Sequence, residues 1–213
     1  ESIQAMLLQN IICHSHRYIR ETNSLYISCY SSAKDSIEQW RGYTNNSGSF
    51  SLGFDFSDVH QQVMVNFYGP KKIIYDEVVK KNILKVLVEE CVDLISSKKY
   101  LDEIAMTHAI AARSIGCLEF LLPTFKDSSF SSEKEWRIWS IHDSTENNAI
   151  DFRPSGNQIV PYIVMKIPEF EERLKEIIIG PYSADTAAES ALRIMREEYG
   201  LKFDIKHTKV PLR

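Results

Sequence analysis

Residues 76–98 read DEVVKKNILKVLVEECVDLISSK, and residues 101–122 continue in the same manner. Apolar and charged side chains alternate at the helical period in both stretches, so each reads as a long amphipathic helix. In the first, acids come early and lysines are expected late, as the helix dipole favours. Pro123 ends the second helix. Together the two predict a helical hairpin at about 76–122.

On either side of this hairpin the period falls to two. Upstream, Leu25–Tyr30 and Ser49–Phe56 read as strands, the second with Phe50, Leu52, Phe54 and Phe56 on one face. Gln62–Tyr68 and Lys72–Tyr75 read as a β-hairpin turning at Gly69-Pro70. Ser31–Asp35 has turn chemistry, Ser36–Tyr43 is a short helix and Thr44–Gly48 a loop. Ser2–Glu21 reads as a further helix. Downstream, strands are expected at Glu133–Ile141, Ile150–Arg153, Ile159–Ile167 and Leu174–Ile179. A last helix, Ala184–Tyr199, is stopped by Gly200, and a strand at Phe203–Lys209 follows. Strands outnumber helices without βαβ alternation. The expectation is one α+β domain over 1–213, with a mixed, mostly antiparallel sheet and the helical hairpin inserted into it.

Composition narrows the function classes. The 213 residues are 44% hydrophobic and 25% charged, with a formal net charge of -4. A chain of that kind is globular, and it lacks the bulk basic footprint of a nucleic-acid binder. No apolar run approaches the length of a membrane span, so no membrane partner is expected. The opening ESIQAMLLQN has no signal-peptide pattern. None of Cys13, Cys29, Cys91 and Cys117 forms a C-x-x-C pair, and a reduced, cytoplasmic setting is the expectation. Cys13, His14 and His16 make one metal-like corner, but no second ligand pair follows at zinc spacing, and no metal is assigned. The glycine patterns of serine hydrolases, P-loops and Rossmann folds are missing. Lys71, Lys72, Lys80 and Lys81 read as a solvated helix start.

The segment FKDSSFSSEKEWRIWSI, residues 125–141, carries the most chemistry. On one continuous strand, Glu133 and Glu135 share a face with Arg137 and Trp139. Two carboxylates side by side repel, so one holds its proton more tightly unless a cation intervenes. This spacing fits an acidic group in a cleft oriented by Arg137, or a solvated sheet face with an ion pair along it. Ser28, Tyr30 and Ser32 share a face if their strand continues. Trp40 and Tyr43 lie three apart on a short helix, placed either to pack inward or to line a pocket.

Several elements recur in a familiar order. LYISCYSSAKDSIEQWRGYTNNSGSFSLGFD, FKDSSFSSEKEWRIW, DFRPSGNQIVPYIVMKIP, LKEIIIGPYS and the closing KVPLR resemble, over about residues 25–213, the bacterial domain-of-unknown-function family 2971. Here Ser28-Cys29-Tyr30-Ser31 stands where that family usually reads S-F-S. The resemblance also implies a further segment upstream of Glu1.

A more remote similarity is to ADP-ribosyltransferases, and it implies an ADP-ribosyltransferase-like fold using NAD. In that scheme Ser28 and Tyr30 form the second of three ordered elements and Glu133-x-Glu135 the third. Glu135 is then the carboxylate that binds the nicotinamide ribose, and Glu133 orients or deprotonates the acceptor. Tyr30, Trp40 and Tyr43 offer aromatic faces, and Arg137 and Arg153 meet the pyrophosphate. The implied protein is a toxin or antiphage defence effector. Its acceptor would be a protein or nucleic acid, and it would work with a partner of a defence system. Two other classes stand beside it. One is a nucleotide- or nucleic-acid-binding regulatory module that uses Arg137, Arg153 and Lys126 without catalysis. The other is a metal-dependent nuclease built on Glu133 and Glu135, with Asp35 or Asp55 as third acid.

Overall fold

The computed structural model describes residues 23–44, 49–57, 67–96, 103–143, 150–167, 169–181, 183 and 185–211. The expected helix Ser2–Glu21, the Cys13–His16 corner and most of the expected strand Gln62–Tyr68 lie outside them. The chain divides into two compact units. One comprises residues 1–29, 66–130 and 137–164, and the other residues 30–65, 131–136 and 165–213.

The first unit carries a three-stranded sheet and the helical hairpin. The sheet runs in the order β1 (Asn23–Ser31), β4 (Glu135–Asp143), β3 (Tyr68–Lys72), and the last residues of β1 and first of β4 are counted with the second unit. Gly69 and Pro70 do not form the expected turn. They lie inside β3, joined by a cis peptide bond. Helices α2 (Glu77–Ser96) and α3 (Glu103–Leu121) fall between β3 and β4, two strands that are neighbours in the sheet.

Helix α2 begins where Asp76 caps it. One oxygen, Oδ1, accepts the backbone N–H groups of Val78 at 2.7 Å and Val79 at 3.0 Å. Those donors have no partner within the helix, so the cap stabilises its start by about 1 kcal/mol. No basic residue occupies the last described turn of α2, and the expected late lysine, Lys98, lies outside the described residues. Lys80 instead lies in the first turns, where Nζ bonds Glu77 at 2.6 Å and the Lys126 carbonyl at 2.5 Å. The hairpin closes around buried Cys91 and Ile110, with Leu87, Leu94 and Met106 packed on them. Cys91 thus acts as a small hydrophobe, its thiol 3.4 Å from the Ser114 hydroxyl. After α3 the chain tightens into a 3₁₀ turn at Leu122–Thr124, as Pro123 requires. On the sheet, Trp139 is fully buried among Tyr68 and Phe120, with ring centroids 5.8 and 5.6 Å away. Strands β5 (Asp151–Ser155) and β6 (Gln158–Tyr162) form an antiparallel hairpin closed at Gly156-Asn157.

The second unit is layered about a sheet of β2 (Phe50–Phe54), β7 (Leu174–Ile179) and β8 (Asp204–His207), in the order β2-β7-β8. The β2–β7 pair is antiparallel and the β7–β8 pair parallel, so the mixed, mostly antiparallel expectation is met. A short helix α4 (Phe170–Arg173) leads into β7. Alternation along β7 sorts its two faces. Ile177 and Ile179 join Leu192, Phe203 and the partly buried Ala188 and Met195 in a core, placing α5 (Asp185–Glu198) on that face. Ala188, Leu192 and Met195 recur at helical spacing, the pattern that seats a helix on a sheet. Helix α5 ends as expected, with Gly200 at φ +63°.

The opposite face of β7 carries Glu176 and Ile178. Residues 34–43, including α1 (Ile37–Tyr43), meet this side. Lys34 reaches Glu176 at 2.7 Å. Trp40 packs where Gly180 leaves room, and a Cβ on Gly180 would lie 2.8 Å from the indole ring and collide with the Ser49 hydroxyl.

Candidate functional site

The acidic segment does not lie on one strand. Glu133 ends a 3₁₀ helix, Ser128–Glu133, and β4 begins only at Glu135. Between them Lys134 takes the left-handed conformation, φ +45°. The period-two argument that set Glu133, Glu135, Arg137 and Trp139 on one charged face is therefore corrected at its first residue. The solvated alternative is corrected too. Glu135 is 4% exposed and Trp139 is not exposed at all. Glu133 is half-buried. The two carboxylates thus occupy different surroundings, although only one residue separates them.

The end of β1 holds this turn. The Ser31 hydroxyl donates to the Glu133 carbonyl at 2.7 Å and accepts the Ala33 N–H at 2.9 Å. The Ser32 N–H and hydroxyl both donate to the Lys134 carbonyl, at 3.1 and 3.3 Å. From the other side the Lys134 N–H reaches the Ser131 carbonyl at 3.3 Å. Tyr30, the residue before Ser31, sets its ring edge-on against Phe56, with centroids 5.2 Å apart. The strand end that follows Tyr30 is thus tied to the Glu133–Glu135 turn through Ser31 and Ser32. In the sequence Ser31 reads as the start of a turn, and Ser32 either as part of that turn or as sharing a strand face with Ser28 and Tyr30.

Trp40 and Tyr43 separate. Trp40 is 4% exposed, whereas Tyr43 is 73% exposed. The Trp40 indole N–H donates to Asp35 Oδ1 at 2.7 Å. Asp35 also accepts the Thr208 hydroxyl at 2.6 Å and the Lys209 N–H at 2.8 Å. Burial pushes the Asp35 carboxyl up, but the bonds from Thr208, Lys209 and Trp40 outweigh it and hold it below the ordinary carboxylate value. Glu176 is a buried carboxylate, bonded by Lys206 at 2.5 Å and Lys34 at 2.7 Å, and both lysines hold it below its ordinary value.

The other candidates belong to the first unit. Ser28 is a half-buried residue of β1. Arg137, on β4, donates from Nη1 to the Pro123 carbonyl at 2.7 Å. Arg153 is exposed on β5. Lys126 places its ammonium 4.9 Å from the Phe130 ring centre.

Among the described residues no group of three or more His, Cys, Asp or Glu is placed to hold a metal ion. The two acids considered as a third ligand already serve the backbone, Asp35 as above and Asp55 by accepting the Ser57 N–H at 2.9 Å. Among the same residues no helix is long and apolar enough to cross a membrane.

Residues 39–138 match the model of a family described as "Protein of unknown function (DUF2971)". The match takes in α1, β2, β3, the helical hairpin and the acidic turn. No curated protein matches the chain, and no solved structure matches it.

Proposed function

We propose that the chain is an ADP-ribosyltransferase-like enzyme acting on NAD, with the Glu133–Lys134–Glu135 turn as its acidic element. The observation that carries this reading is the burial of Glu135, 4% exposed, beside half-buried Glu133. A pair of carboxylates kept in different environments is how one site holds an acid and a base together. The motif order that resembles ADP-ribosyltransferases supports it.

NAD supplies a glycosidic bond that breaks with positive charge developing on the ribose. Glu135 accepts the ribose hydroxyl and stabilises that charge, at a buried position where electrostatic interactions are strongest. Tyr30 presents an aromatic face on the same strand end. Glu133, less buried, accepts the proton of the incoming acceptor group.

The test is NAD consumption and nicotinamide release by the protein, with Glu135→Gln as control. Turnover lost in the variant with NAD binding retained supports the reading. Absence of both turnover and NAD binding at millimolar ligand sinks it.

A nucleotide- or nucleic-acid-binding role without turnover is the second reading. Exposed Arg153, on a hairpin whose β5 is exposed along its whole length, favours it. In that case Arg153→Ala weakens binding and Glu135→Gln does not.

A further inference from the structure

The left-handed backbone of Lys134 and the hydroxyl of Ser31 are parts of one device. An L-residue with a side chain adopts that conformation only where its surroundings fix it. Here they do so on three sides. The Lys134 N–H is tied to Ser131, its carbonyl takes two bonds from Ser32, and the preceding carbonyl, that of Glu133, takes the Ser31 hydroxyl. Ser31 is itself held, because its oxygen accepts the Ala33 N–H. A hydroxyl with both its donor and its acceptor role engaged has one direction to point.

The geometry points to Ser31 as a positioning residue for Glu135, with Ser32 as the second anchor. An extended chain through 133–135 would put both carboxylates on one face, where like charges raise each other's proton affinity. The turn at Lys134 breaks that alternation, so Glu135 enters β4 buried while Glu133 stays in the 3₁₀ segment. Ser31 does not need to touch the Glu135 carboxylate to do this. It holds the backbone from which that side chain departs. The inference rests on the reading of Glu135 as the site's working carboxylate, but the geometry it describes can be measured without turnover.

The experiment is carbon-13 NMR of the full chain with labelled glutamate carboxyls. In Ser31→Ala the Glu135 carboxyl resonance moves, while that of Glu176, pinned by two lysines, stays. Ser31→Thr, which keeps the hydroxyl, restores it. Lys134→Gly leaves it in place, since glycine adopts the left-handed form freely. A Glu135 resonance unchanged in Ser31→Ala overturns the inference, and so does an equal movement of Glu176. With NAD, Ser31→Ala lowers kcat by about tenfold at unchanged KM. If the resonances behave as stated and the wild-type protein does not turn NAD over, the positioning role stands and the NAD reading falls.

Discussion

Gly53 lies opposite Glu176 in the β2–β7 register, and the space of its missing side chain holds the glutamate stem. A Cβ on Gly53 would stand 2.5 Å from Glu176 Cγ. Glu176 cannot swing away freely, because Lys206 and Lys34 hold its two oxygens. Gly53→Ala is therefore expected to cost about 1–3 kcal/mol as an overpacked site. Denaturant unfolding checks it. Full wild-type stability in the variant would mean that Glu176 finds another rotamer.

Asp35 joins three donors drawn from distant parts of the chain. Asp35→Ala leaves the Trp40 indole, the Thr208 hydroxyl and the Lys209 N–H without their acceptor. A loss of about 1–3 kcal/mol is expected, chiefly from the buried Trp40 indole left unpaired. The fluorescence of Trp40 should also change, since its indole N–H loses a carboxylate. Trp40→Phe, read in the same way, assigns the signal.

Acid should weaken the second unit through the same two carboxyls. Both lie below their ordinary values, 3.8 for Asp35 and 4.5 for Glu176, in the folded state. A depressed folded value means that the stabilisation is complete above the ordinary value and fades as pH falls through the folded one. Tm should thus hold steady from neutral pH down to about 5 and drop below 4. Glu176→Gln should flatten part of that drop, which thermal melts across the range will show.

The helical hairpin has a small core. Ile110 is 2% exposed and meets Cys91, so Ile110→Ala should cost about 2–5 kcal/mol where the hairpin cannot collapse on the gap. Hydrogen exchange should speed most in α2 and α3. Even acceleration across β7 and β8 would show instead that the two units unfold together.

At the proposed site, Glu135→Gln should lower NAD turnover by at least about a hundredfold while leaving NAD affinity near wild type. Glu133→Gln should act mainly on transfer to the acceptor, and less on release of nicotinamide. Equal loss in both variants for both steps would contradict the division of roles.

The sequence was legible where periodicity speaks and opaque where backbone conformation does. Strand Leu174–Ile179 is read directly as a short apolar run buried on both faces, and the helix ended by Gly200 because burial on one face dictates its pattern. The hairpin at 76–122 is legible for the same reason. Gly69-Pro70 misled because that dipeptide is turn chemistry in isolation, whereas here it runs inside β3. Lys134 misled more seriously. Nothing in the identity of a lysine announces a left-handed backbone, and the strand argument carried straight through it. The role of Asp35 was hidden by distance, since Thr208 lies 173 residues along the chain.

The second unit is assembled from residues 30–65, 131–136 and 165–213, three stretches separated by the pieces of the first. During synthesis β2 emerges long before its partner β7, and the α2–α3 hairpin is made in between. The hairpin closes from neighbouring residues and can form while the chain is still growing. Strand β2 must wait, and Asp35 meets Thr208 and Lys209 only when the final stretch is released. The order of birth is therefore not the order of assembly. A ribosome stalled before residue 174 would carry a finished hairpin beside an unpaired β2, a form that chaperones and proteases would meet first.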